Sequence, residues 1–145
     1  MSIQIDDTDR ALLALLAENA RLPVATLARK LNLARSTAQA RLDRLEQSGV
    51  IAGYALRLGQ AARAPLRATA LLQIEPRSGP TVLARLKSLP QVARVHTTSG
   101  RFDLIVEVTA RNTEELDETL DRIIEAKGVR SSESLIHLST KLDRI

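Results

Sequence analysis

The chain has 145 residues, 44% of them apolar, and a formal charge of +4 from 21 Lys/Arg against 17 Asp/Glu. That suffices for one ordinary domain or two small ones with cores of their own, and is too apolar for a disordered tail. The absence of cysteine excludes disulfides, zinc fingers and thiol catalysis; with Tyr54 and Phe102 as the only rings, an aromatic platform for single-stranded nucleic acid is excluded too.

The opening "MSIQIDDTDR" is acidic and lacks the apolar stretch of a signal peptide, and no apolar run approaches the roughly 20 residues of a membrane span. A cytoplasmic protein with no membrane partner is expected. Ile5 to Ala20 reads as a helix, with Asp6 capping its first turn, Asp9 three residues on, and Leu12, Leu13, Leu15 and Leu16 forming the apolar stripe. Pro23 suits the first position of a second helix, Val24 to Leu31, which faces inward through Leu27, Ala28 and Leu31. Asn32 tolerates the left-handed backbone of a tight turn. A third helix then runs from about Ala34 to Ser48, with Ala38, Leu42 and Leu45 inward and Gly49 as its stop. "VIAGYALRL" has the β-branched start and central glycine of a strand pair or a bent strand, placed like a wing.

"GQAARAPLR", residues 59–67, is the linker candidate. Beyond it a strand, helix, strand pattern occurs twice. "LRATALLQIEP", "GPTVLARLKSLP" and "QVARVHTTSG" are followed by "RFDLIVEVTAR", "NTEELDETLDRIIEAKG" and "VRSSESLIHLSTKL". The first of these helices is expected to pack through Val82, Leu83, Leu86 and Leu89. In the second, Asn112 caps with Glu115 reaching back, Leu116, Leu120, Ile123 and Ile124 form the stripe, and Gly128 ends it. The expected fold class is therefore α+β: a winged helix-turn-helix over 1–58, the linker 59–67, and a βαββαβ ferredoxin-like domain over 68–145. In "FDLIVEV", Leu104, Val106 and Val108 point toward the helices. Asp103, Ile105 and Glu107 point away, with Leu71 and Leu135 as further candidates for that open face. Large aliphatics on an open sheet face usually meet another sheet, so a homodimer is expected there.

Charge is unevenly distributed. Arg21 to Arg57 holds seven Lys/Arg against two acids, Ala61 to Arg101 seven against one, and Phe102 onward six against ten. The basic part contains the third helix, whose outer side is left with Arg35, Ser36, Thr37, Gln39, Ala40, Asp43 and Arg44 once its core positions are assigned. Arg and Gln match guanine and adenine edges, Ser adapts to either, and Ala40 allows close approach or touches a thymine methyl. Arg41 and Arg44, further along, are expected on phosphates. A solvated helix face would also tolerate these residues; the preceding helix and turn, the local charge and the wing-like segment favour double-stranded DNA.

"IDDTDRALLALLAENARLPVATLARKLNLARSTAQARLDRLEQSGVIAGYALRLG" resembles the winged helix-turn-helix of the Lrp/AsnC, or feast/famine, transcriptional regulators. The carrying residues are an acidic "D..D" start, the "L....R.....LA...L" spacing, the recognition helix and "RL..L...GVI.GY". The C-terminal half looks like that family's amino-acid-sensing (RAM-type) domain, with "TTSGRFDLIVEV" fitting its glycine–x–x–aspartate loop. Three positions depart from the pattern: Ala34 replaces a capping serine, Asn32 a glycine, and Thr98 an aliphatic. The resemblance implies a small-molecule effector, commonly an amino acid, held between sensing domains of neighbouring dimers around Thr98, Ser99, Gly100, Arg101 and Asp103. Ser132 and Ser134 would form a second polar wall. Gly100 permits a sharp turn, while Asp103 either fixes the loop or faces a ligand ammonium.

The resemblance also implies DNA-bound dimers, assembly as far as octamers, and association with the nucleoid. His96 and His137, without a paired carboxylate motif, make poor metal ligands, and no cofactor is expected. The run "TEELDETLD" reads as a solvated helix face. No nucleophile and base pair, phosphate loop or paired catalytic carboxylates appear, so no enzymatic activity is expected. One alternative is a DNA-architectural protein of low specificity. Another is a tetrapyrrole decarboxylase of related architecture, disfavoured by the shortage of rings and histidines.

Overall fold

A computed structural model describes residues 3–63 and 65–144. The chain divides into two units, Met1–Arg57 and Leu58–Ile145.

The first unit holds α1 (Asp7–Glu18), α2 (Val24–Leu31) and α3 (Arg35–Gln47). Helix α1 begins at a capping box. The Asp9 backbone N–H donates to Asp6 Oδ1 at 2.7 Å, and the Asp6 N–H donates to Asp9 Oδ2 at 3.2 Å. Pro23 is the N-cap of α2 rather than its first helical residue, and Asn32 closes the helix in the left-handed conformation at φ 55°. Leu12, Leu16, Leu27 and Leu45 are the buried core, flanked by Leu31, Leu42, Val50 and Ile51.

The strand expected after Gly49 is absent. Residues 52–59 have no regular structure, and Tyr54, Leu56 and Leu58 are exposed. The β-branched start and the glycine carry strand propensity, but a strand also needs a partner for its backbone N–H and C=O groups, and the described residues of the unit supply none. Tyr54 is tethered instead, its hydroxyl donating to Glu46 Oε1 at 2.7 Å. Desolvation of the hydroxyl end and the adjacent Glu46 carboxylate push it up to about 12, although half the side chain stays exposed.

The second unit opens with a 3-10 turn (Gln60–Ala62) and continues as β1 (Leu66–Ile74), α4 (Gly79–Lys87), β2 (Val92–Thr97), β3 (Leu104–Ala110), α5 (Thr113–Ile124) and β4 (Val129–Ile136). Ala64, within the expected linker, lies outside the described residues, and β1 begins at Leu66, where the strand was expected, so the last two residues of the expected linker belong to it. The strands form one antiparallel sheet in the order β2-β3-β1-β4. Ala68, Ala70 and Leu72 of β1 and Leu104, Val106 and Val108 of β3 pack against Val82 and Leu86 of α4 and Leu116 and Ile123 of α5. The helix stripes are narrower than expected, for Leu83 and Ile124 are exposed, whereas Thr119 is buried with its hydroxyl donating to Glu115 O at 2.7 Å. On the other face Leu71 pairs with Ile105, and Leu135 pairs with Thr69, two residues along β1.

Asn112 caps α5, and Glu115 reaches back to accept the Arg111 N–H at 2.7 Å. That bond, the Arg111 guanidinium and the Gln91 amide hold Glu115 down from the ordinary 4.5 to about 2. A depressed folded value means that its contribution to stability is present above pH 4.5 and lost as pH falls from there toward 2. The sheet unit should lose melting temperature across that window, and Glu115→Gln should flatten the loss while lowering stability at neutral pH. Calorimetry of both proteins in acid will check this; parallel acid profiles would count against it.

Candidate nucleic-acid interface and sensing loop

Helices α2 and α3 are joined through left-handed Asn32, Leu33 and Ala34, with Leu33 N–H donating to Ala28 O at 2.8 Å. Ala34, the N-cap of α3, supplies no side-chain hydrogen bond, so that helix start lacks a contribution of about 0.5–2 kcal/mol that a serine would make. Ala38 and Leu45 are buried and Leu42 half-buried, which turns five residues, Arg35, Ser36, Thr37, Gln39 and Ala40, outward, followed by Asp43; all six are exposed. Those five form a continuous open row on the N-terminal two turns. Gln39 Nε2 donates to Asp43 Oδ1 at 2.7 Å, and Arg35 forms no ion pair among the described residues.

Arg41 and Arg44 are differently placed from the rest of the row. Arg41 Nη1 donates to Asp6 Oδ2 at 2.7 Å and to Asp9 Oδ1 at 2.9 Å, and Arg44 Nη2 donates to Asp9 Oδ2. The Asp9 side chain is 0% exposed. The Arg41 hydrogen bond holds the Asp6 carboxyl below its usual range; Asp9 is also held low, because hydrogen bonds from Arg41, Asp6 N–H and Arg44 outweigh the opposing effect of its burial. Sequence reasoning found Asp6 and Asp9 as a cap and missed this second use. The signal was present: Asp9, Leu12 and Leu16 share one face at i, i+3, i+7, so an acid lies in an apolar stripe and demands partners.

In the second unit Thr98, Ser99, Gly100 and Arg101 form the β2–β3 turn. Gly100 has φ 109°, a region that favours glycine, and the Thr98 hydroxyl donates to Phe102 O at 2.5 Å. Thr98 thus ties its own loop. Asp103 Oδ2 accepts the Ile74 N–H at 2.9 Å, and Gln73 Nε2 donates to Arg101 O at 2.8 Å, fastening the loop to the end of β1. An open groove of about 650 Å³ adjoins it, lined by Gln73, Glu75, Pro80, Arg101, Asp103 and Arg130 among others. Ser132 and Ser134 do not join this set. They pair with Leu72 and Ala70, and so lie on the helix-covered face, opposite Gln73 and Asp103. Ser132 Oγ is buried without a hydrogen-bond partner, and Ser134 is exposed. The β4 residues that do reach the loop region include Arg130, which lines the groove, Ser131, donating to Gln73 at 2.7 Å, and Glu133, 3.6 Å from Arg101. No group of three His, Asp or Glu side chains with metal-binding spacing occurs among the described residues, and no helix there is long and apolar enough to cross a membrane.

A helix-turn-helix whose second helix presents an open polar row has the architecture of a double-stranded DNA-binding protein, here joined in one chain to an antiparallel βαββαβ unit. Residues 5–52 match the winged helix-turn-helix DNA-binding model, and residues 68–145, more than half of the chain, match the Lrp/AsnC ligand binding domain. An HTH-type transcriptional regulator of Mycobacterium tuberculosis is 34% identical over 98% of this chain and 97% of its own, and one of Pyrococcus abyssi is 33% identical over 96% and 89%. Among solved structures, Escherichia coli AsnC superposes with a TM-score of 0.90 at 25% identity over 99% of this chain and 98% of its own. A feast or famine regulatory protein from M. tuberculosis complexed with L-methionine gives 0.85 at 30% identity, covering 97% of each chain. The protein belongs to the Lrp/AsnC family of transcriptional regulators.

Proposed function

We propose that this regulator inserts the N-terminal turns of α3 into the major groove and reads base edges with Arg35, Ser36, Thr37, Gln39 and Ala40. The observation that carries the reading is the open row itself, exposed behind a left-handed Asn32 turn and backed by Ala38 and Leu45. Arg35 suits a guanine edge, and Gln39, with its amide nitrogen held by Asp43, presents its carbonyl oxygen as an acceptor for a base amino group. Dimers would form through the outer sheet face carrying Leu71, Ile105 and Leu135, placing two recognition helices on half-sites about one helical turn, or a multiple, apart. An amino acid is the effector class supported by the L-methionine complex of the M. tuberculosis relative. It would bind at the Thr98–Asp103 loop, between sensing units of neighbouring dimers, and act through different affinities for two assembly states.

The test is anisotropy titration on a duplex selected by the protein from a random pool, beside a scrambled duplex, over several salt concentrations and with single amino acids added. Arg35→Ala and Gln39→Ala should each cost about 1–3 kcal/mol of discrimination and relax preference at one base position per half-site. Unchanged preference in both variants would remove α3 from base reading. Equal binding of the two duplexes by the unaltered protein, collapsing with salt, would establish the architectural alternative.

A further inference from the structure

Seven Lys/Arg between Arg21 and Arg57 suggest a rich supply of phosphate contacts, but two of them are engaged within the helix-turn-helix unit. We propose that Asp9 is a positioning residue for DNA recognition, and that Arg41 and Arg44 clamp α3 to α1 through it instead of contacting phosphates. This rests on the reading of α3 as the base-reading helix.

The geometry carries the inference in three steps. First, the Asp9 carboxylate is fully buried beside Leu12 and Leu16, where an unpaired charge is strongly disfavoured, so its partners are obligatory. Both of its oxygens are engaged, Oδ1 by Arg41, and Oδ2 by Arg44 and the Asp6 N–H. Second, Arg41 and Arg44 are three residues apart on one side of α3, at the border between the buried Ala38–Leu45 stripe and the open row. Two directed, charge-assisted bonds to one immobile carboxylate, with a third from Arg41 to Asp6, fix the rotation of α3 about its own axis better than leucine packing does. Apolar contacts have no preferred direction, whereas these bonds do. Rotation of α3 would break both Asp9 bonds together and swing Arg35 and Gln39 off the bases, where misplacement by about 1 Å is already costly. Third, the cluster holds two carboxylates and two guanidiniums and is internally neutral, so neither arginine offers a free charge to release counterions from DNA.

The full chain should be compared with Asp9→Asn, Arg41→Ala and the base-reading variants on the selected and scrambled duplexes, at temperatures where each melt shows a folded protein. Asn keeps the size of Asp9 but lacks the charge. The expected result for Asp9→Asn is a loss of about tenfold or more on the selected duplex, the scale of one good base contact, with scrambled-duplex affinity unchanged or raised by the freed arginines. Arg41→Ala should lose selected-duplex affinity with the same dependence of log affinity on log salt as the parent. A salt slope reduced by about one in Arg41→Ala would show a phosphate contact and overturn the proposal. So would an intact selected-to-scrambled ratio in either variant. If Arg35→Ala and Gln39→Ala lose base preference while Asp9→Asn keeps it, the clamp alone fails; if those two also keep it, the reading of α3 fails.

Discussion

Leu45→Ala is expected to abolish DNA binding while the sheet unit stays folded. Leu45 is 0% exposed and is the one fully buried large side chain of α3, in a four-leucine core with Leu12, Leu16 and Leu27. Leucine truncation in a packed core costs about 2–5 kcal/mol, as transfer free energy and residual cavity together. A unit of some 57 residues has a total stability of only about 3–9 kcal/mol by the usual per-residue scaling. The substitution therefore removes a large share, and Ile51 N–H, which donates to Leu45 O at 2.9 Å, loses its fixed partner as α3 frays. The sheet unit has a separate core built from β1, β3, α4 and α5, which the change does not touch. Hydrogen exchange followed peptide by peptide should show protection lost in residues 7–47 and retained in β1 and β3. Leu42→Ala, at a half-buried position of the same helix, should cost clearly less. Loss of protection in both units at once would show that they do not unfold separately.

How much of this was legible in the residues varies with the kind of signal. The three helices and the βαββαβ order follow from apolar period and caps: Asp6, Asn32, Gly49, Asn112 and Gly128 stand close to where elements start or stop. Strand faces were equally plain, since the alternation in "DLIVEV" survives as the alternating burial of β3. The segment after Gly49 was misread because strand propensity says nothing about whether a partner exists within the chain. Ser132 and Ser134 were placed beside Asp103 by resemblance, yet their face depends on the register between β1 and β4, a non-local property. The open row on α3 was visible from helical spacing alone, because it needs only the core positions to be known. Arg41 and Arg44 required one further fact, the burial of Asp9 some 32 and 35 residues earlier: the apolar stripe of α1 shows that this acid needs partners, but nothing in α1 says that they come from α3.

Gly128→Ala is the second substitution with a large expected effect, and here the sheet unit is the one that fails. Two costs coincide at this glycine. Its φ of +100° is a conformation that side-chain-bearing residues adopt at a cost of about 1–3 kcal/mol. An added Cβ would also stand 2.6 Å from Ser78 Cβ, 2.8 Å from Ser78 Oγ and 3.1 Å from Val82 Cγ2, inside the contact between the α5–β4 turn and the start of α4. Overpacking of that kind costs about 1–3 kcal/mol more. Backbone at both ends of the contact resists relaxation, because Gly128 O accepts the Glu75 N–H at 2.7 Å and Ser78 Oγ donates to Glu75 O at 2.5 Å. Gly100 separates the two costs, for it has φ 109° with nothing within 4 Å of where an added methyl would stand. Gly100→Ala should show the conformational cost alone. Ser78→Gly combined with Gly128→Ala should recover the Ser78 share of the steric part, leaving the double variant, relative to Ser78→Gly, less destabilised than Gly128→Ala is relative to the parent and at least as destabilised as Gly100→Ala, since the 3.1 Å approach to Val82 Cγ2 remains. Denaturant unfolding of the parent and these variants measures this directly. Equal losses at Gly128 and Gly100 would mean that the α4 contact yields freely, and that the packing of Ser78 against the turn contributes nothing to holding the two helices on the sheet.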